Sequence, residues 1–79
     1  MKPKATVDPR VAFGRAVRDL RAAKSISQEK LAELAGIHRT YIGDVERGER
    51  NIALLNMTKI AKALDARLSQ VIVRMEQEL

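Results

Sequence analysis

Two glycines, Gly36 and Gly48, constrain this chain more than any other feature. Each follows a short segment of helical periodicity, where a residue free to take positive φ ends a helix. The first segment, Gln28 to Ala35, has Ser27 as its N-cap and Leu31, Leu34 and Ala35 as its inner stripe. The second, Arg39 to Arg47, turns Ile42 and Val45 inward. At about 100° per residue, Thr40, Gly43, Asp44 and Arg47 face the other way. That face has no large apolar residue, so it is expected at the surface. His38 is expected in the cap region of this helix, without a metal or catalytic role.

The rest of the chain supplies a helical frame. Asp8 before Pro9 is a start signal, a side-chain acceptor followed by a residue that lacks the unpaired N–H. A helix from Pro9 to Lys24 places Phe13, Ala16, Val17 and Leu20 on one side. A polar connection follows Gly48. A fourth helix, Leu54 to Leu64, carries Met57, Ile60, Ala61 and Leu64 at amphipathic spacing. A fifth starts near Ser69, with Leu68, Val71, Ile72, Met75 and Leu79 in one stripe and Val73 off it. No strand pattern or repeat interrupts this order. The expectation is all-α: a compact five-helix domain over residues 8–79, after a flexible arm over 1–7.

A chain of 79 residues holds one small domain. With no cysteine and one histidine, neither a disulfide nor a metal centre is expected to support it. Association is the remaining means of burying more surface. The apolar surplus on the fifth helix predicts a homodimer through Val71, Ile72, Met75 and Leu79.

The net charge is +5, which suits a polyanionic partner. Its distribution is uneven: residues 1–24 hold seven Lys or Arg against two Asp, whereas 25–53 hold four bases against five acids. Charge alone points to the N-terminal third, not to the polar helix. One Phe, one Tyr and no Trp argue against single-stranded nucleic acid, whose bases stack on aromatic rings. No apolar run follows the basic start Met1-Lys2-Pro3-Lys4, and none approaches the roughly 18 residues of a membrane span. A cytoplasmic protein is expected, without a membrane partner. No nucleophile–base pair, metal cluster or phosphate loop is visible, so neither an enzyme nor a cofactor nor a small-molecule ligand is expected.

Two short helices joined at Gly36 form a helix-turn-helix, in which the first braces the second for entry into a DNA major groove. Ser27-Gln28-x-x-Leu31-Ala32-x-x-Ala35-Gly36, then Arg39-Thr40-Tyr41-Ile42-x-x-Val45-Glu46-Arg47-Gly48, closely resembles the XRE or phage-repressor-type family. Ile60-Ala61-Lys62-Ala63-Leu64 resembles that family's fourth helix, and the resemblance runs over about residues 10 to 73. More narrowly, His38-Arg39-Thr40-Tyr41-Ile42, with Val45-Glu46-Arg47-Gly48-Glu49-Arg50-Asn51-Ile52, resembles the controller proteins of restriction–modification systems.

The resemblance implies a transcriptional regulator that binds double-stranded DNA as a dimer on a pseudo-palindromic operator, that of its own gene included, with RNA polymerase as a further contact. An antitoxin that binds a protein partner as well as DNA is the alternative. Base reading falls to Arg39, Thr40, Tyr41, Asp44 and Arg50. Arg39 can take guanine O6 and N7 together. Thr40 suits a base or a phosphate. Tyr41 reaches DNA or packs on the preceding helix. Asp44 accepts from cytosine or repels non-cognate phosphates. Gln28, Arg47 and Asn51 are the phosphate-binding candidates. The family pairs Glu46 with Arg21 as a structural ion pair. Gly43 departs from the pattern, on the reading face where many relatives carry a side chain, and suggests close approach of the backbone to DNA. Lys30 leaves Ser27 without a capping-box partner.

Overall fold

The computed structural model describes residues 7–79. The arm expected over 1–7 lies outside them, except for Val7. Five helices follow in chain order: α1 (Pro9–Ala23), α2 (Gln28–Ala35), α3 (Arg39–Glu46), α4 (Leu54–Ala63) and α5 (Leu68–Glu76). Among the described residues there is no strand.

Local chemistry sets the boundaries. Asp8 Oδ1 accepts from the Arg10 backbone N–H at 2.8 Å, and Pro9 opens α1. Ser27 Oγ accepts from the Lys30 N–H at 3.0 Å. His38 Nδ1 accepts from the Thr40 N–H at 3.2 Å, so the imidazole caps α3. Gly36 ends α2 with φ +66°, and Gly48 follows the Arg47 C-cap of α3 with φ +76°. Helices α1, α3 and α4 each stop one residue short of expectation. Ser25 and Asp65 also take positive φ, at 56° and 53°, to turn the chain after α1 and α4.

α1 is the hub, packed against α5 and against α3, while α2 bridges α3 and α4. Phe13 and Val17 meet Leu31, Ile42, Val45, Ile60, Leu64 and Val71 in one core. Each such side chain contributes about 1.5–3 kcal/mol when fully buried. Gly14 permits the closest approach: a Cβ there would lie 2.3 Å from the Val45 carbonyl oxygen. The backbone of α1 thus seats directly on the end of α3.

Two expectations about packing are corrected. Leu34 is exposed, and Ala32 is buried in its place, because α2 turns the Leu31, Ala32 and Ala35 side toward its neighbours. Val71 is fully buried in the core, because α5 lies along α1. It therefore has no surface left for a dimer partner. Ile72 and Met75 are half-buried against the same core, whereas Val73 and Leu79 are 54% and 50% exposed. None of the described helices is long and apolar enough to cross a membrane.

Candidate nucleic-acid interface

The pose of α3 is fixed by a buried ion pair. Arg21, near the end of α1, donates from Nε to Glu46 Oε2 at 2.7 Å and from Nη2 to Oε1 at 3.0 Å. Its Nη1 donates to the Ile26 carbonyl at 2.9 Å. Gln28 Nε2 donates to Glu46 Oε1 at 3.0 Å. The Glu46 side chain is 3% exposed. One carboxylate therefore ties together the end of α1, the start of α2 and the end of α3. Its hydrogen bond raises the Arg21 pKa above the ordinary value, against the opposing effect of burial. Among the described residues, no buried side-chain nitrogen or oxygen lacks a partner.

Gln28 is thus half-buried and committed through its amide nitrogen to Glu46, rather than standing free beside the α2 N-terminus. Gly43 is also placed differently from expectation. It is buried: a Cβ there would lie 3.1 Å from Arg47 Nη1 and 3.6 Å from Gln28 Oε1. The missing side chain makes room for the Arg47 guanidinium to fold over α3, and that group covers the backbone that was expected to be open.

Arg39 and Thr40 stand exposed in the first turn of α3, and their side chains have no hydrogen bond or ion pair among the described residues. A cation at a helix N-terminus opposes the helix dipole, a cost of about 0.3–1 kcal/mol. Arg39 therefore does not serve the stability of α3. Tyr41 is half-buried against the core. Arg50, in the connection after α3, folds back so that its guanidinium lies 5.0 Å from the centre of the Tyr41 ring.

Asp44, Arg47, Glu49 and Arg50 form a charge cluster beside them. Asp44 Oδ1 accepts from Arg47 Nη2 at 2.5 Å, and Oδ2 accepts from Arg50 Nε at 3.1 Å. Arg47 Nε donates to Glu49 Oε1 at 2.9 Å. The Arg47 pKa is raised, first by Glu49 and then by Asp44. Asn51 is exposed next to Arg50. Sequence reading named Asp44, Arg47 and Arg50 but missed that they pair with one another. The available signal was the opposite charge of Asp44 and Arg47 at i, i+3.

Residues 17–71 match the helix-turn-helix family. Control protein C.BamHI of Bacillus amyloliquefaciens is 57% identical over 56 residues, which cover 70% of this chain and 69% of that protein. The chain belongs to the control-protein family of helix-turn-helix proteins. Solved control proteins share the fold. The restriction-modification controller protein C.AhdI of Aeromonas hydrophila is 50% identical, with a TM-score of 0.77 over 78% of this chain and 94% of its own. The C.Esp1396I controller, a tetramer in complex with its natural 35 base-pair operator, is 25% identical, with a TM-score of 0.83 over 91% of this chain and 95% of its own. Control-protein membership accounts for the order α1 to α5 and for the short, polar-faced α3 between two glycines.

Proposed function

We propose that this chain is a sequence-specific, double-stranded DNA-binding transcriptional regulator that controls a restriction–modification locus, including its own promoter. One observation carries the reading. Arg39 and Thr40 stand exposed and unpartnered at the start of a helix whose pose is pinned by a buried ion pair. Similarity to control proteins, one of them solved on its operator, supports it.

On this reading α3 enters the major groove N-terminus first. Arg39 offers its planar fork to guanine, and Thr40 and Tyr41 meet neighbouring base edges or phosphates. Arg50, set over Tyr41, extends the reading surface past the helix. Arg47 and Asn51 bind backbone, and Gln28 donates the second hydrogen of its amide nitrogen to a phosphate while the first stays on Glu46. The protein acts as a homodimer in the cytoplasm. Val73 and Leu79 carry the association, with the edges of Ile72 and Met75. Twofold symmetry then sets the two recognition helices roughly 34 Å apart, one turn of DNA. Bound beside a promoter, the dimer is within reach of RNA polymerase. It binds DNA without transforming it and needs no cofactor or small-molecule ligand.

Footprinting on the DNA upstream of its gene tests this. The expected pattern is two protected half-sites whose centres lie about 10 base pairs, or a multiple, apart. Uniform protection without half-sites would overturn the dimeric, operator-reading account.

A further inference from the structure

Two carboxylates, Asp44 and Glu49, balance the positive charge at the C-terminal end of α3, and Asp44 is the one that both arginines share. Both oxygens of Asp44 accept from arginines, and its side chain is 19% exposed beneath guanidinium groups that are about half exposed. Asp44 faces its own arginines rather than solvent, an orientation that suits holding cations better than reading a base.

Two consequences follow. The first concerns Arg50. It lies beyond the last turn of α3, where no helical backbone fixes its side chain. Asp44 holds its Nε and Nη2 edge, and the Tyr41 ring lies under its face. The side chain is therefore ordered before DNA arrives, which lowers the entropy lost on binding. The second concerns charge. Asp44 and Glu49 balance Arg47 and Arg50, so this stretch of the interface is locally neutral. Free guanidinium groups would bind any phosphate, whatever the sequence.

We propose that Asp44 is a specificity-determining positioning residue: it presents Arg50 to DNA in one pose and withholds the charge of Arg50 from phosphates of unrelated sequence, while Arg47 keeps Glu49 as a second partner. The proposal rests on the reading of α3 as the DNA-binding element.

The test uses the full chain and the duplex that the wild-type protein selects from a random-sequence pool, beside a scrambled duplex of equal length. Wild type, Asp44→Asn, Asp44→Glu, Arg50→Ala and the Asp44→Asn/Arg50→Ala pair are titrated by fluorescence anisotropy at two salt concentrations. Asp44→Asn is expected to bind scrambled DNA more tightly and to lose at least ~10-fold in the ratio of selected to scrambled affinity. Its salt dependence on scrambled DNA is expected to steepen by ~0.9, the slope of one added phosphate contact. Asp44→Glu keeps the charge and restores the wild-type slope. In the Arg50→Ala background, Asp44→Asn is expected to change the ratio by less than ~3-fold, because coupled residues lose their separate effects.

An unchanged ratio and slope in Asp44→Asn would overturn the proposal while leaving the regulator reading intact. An equal loss with and without Arg50 would also overturn it, by showing that Asp44 acts on DNA directly or through the fold. If the wild-type protein selects no duplex, the regulator reading fails, and this inference fails with it.

Discussion

Arg21 grips Glu46 with two hydrogen bonds, at 2.7 and 3.0 Å, and the carboxylate is almost wholly buried. The two residues lie 25 positions apart in sequence and join α1 to α3. Removing Arg21 would leave the buried Glu46 carboxylate uncompensated, and removing Glu46 takes the shared acceptor from Arg21 and Gln28, a loss of up to about 3–5 kcal/mol. Glu46→Ala is therefore expected to lower the melting temperature sharply and to weaken DNA binding as a consequence. Thermal melts followed by circular dichroism check this. A variant that melts like wild type yet fails to bind DNA would instead give Glu46 a direct role at the interface.

Gly14→Ala should be destabilising, although alanine favours a helix over glycine by about 1 kcal/mol. The added Cβ would lie 2.3 Å from the Val45 carbonyl oxygen and 2.8 Å from that of Glu46. Both are backbone atoms, so α1 must move away from α3. Overpacking of this kind costs about 1–3 kcal/mol or more. Urea denaturation measures it, and an increase in stability would contradict the close packing described here.

How far the sequence announced all this depends on the kind of signal. Helix order and most boundaries were legible because caps and glycines are local: Asp8-Pro9, Ser27, Gly36 and Gly48 each act within a few residues. The turns at Ser25 and Asp65 were not, since each takes the left-handed position of a local helix C-terminal motif, closed by the Ile26 N–H on the Arg21 carbonyl and the Ala66 N–H on the Ala61 carbonyl, without a glycine to mark it. Val71 and Leu34 were misplaced because periodicity identifies an apolar stripe without saying which neighbour covers it. Helical spacing puts Gly43 on an open face because its covering comes from the side chains of Arg47 and Gln28, which spacing does not show. The Arg21–Glu46 pair comes from family resemblance, and of the Asp44 cluster only the i, i+3 pair with Arg47 is local, while the share of Arg50 depends on its folding back.

Asp8 links stability to acid. Its side-chain hydrogen bond from Arg10, first among the causes, lowers its pKa from 3.8 to about 2. A carboxylate depressed in the folded state stabilises above its unfolded pKa and loses that contribution as pH falls through the folded value. The advantage of wild type over Asp8→Asn, which keeps a capping oxygen, is expected at pH 5 and should vanish between about pH 4 and pH 2. Denaturation midpoints across that range check it. An advantage that persists at pH 2 would show that charge is not its source.

Val71 and Val73 separate the core from the proposed association surface. Val71→Ala removes a fully buried side chain and is expected to cost about 2 kcal/mol in stability. Val73→Asp places a charge on exposed surface and is expected to shift sedimentation toward the monomer while preserving helicity. Unchanged self-association in Val73→Asp would move the dimer interface away from this part of α5.

The most direct test of the central claim is a fluorescence-anisotropy titration against the duplex upstream of the gene and a scrambled duplex, at two salt concentrations. Sequence-specific reading by α3 predicts that wild type binds the upstream duplex at least ~10³-fold more tightly, and that Arg39→Ala loses most of that preference. Equal, weak and salt-sensitive binding of wild type to both duplexes would contradict the claim that this chain controls its own promoter by reading its sequence.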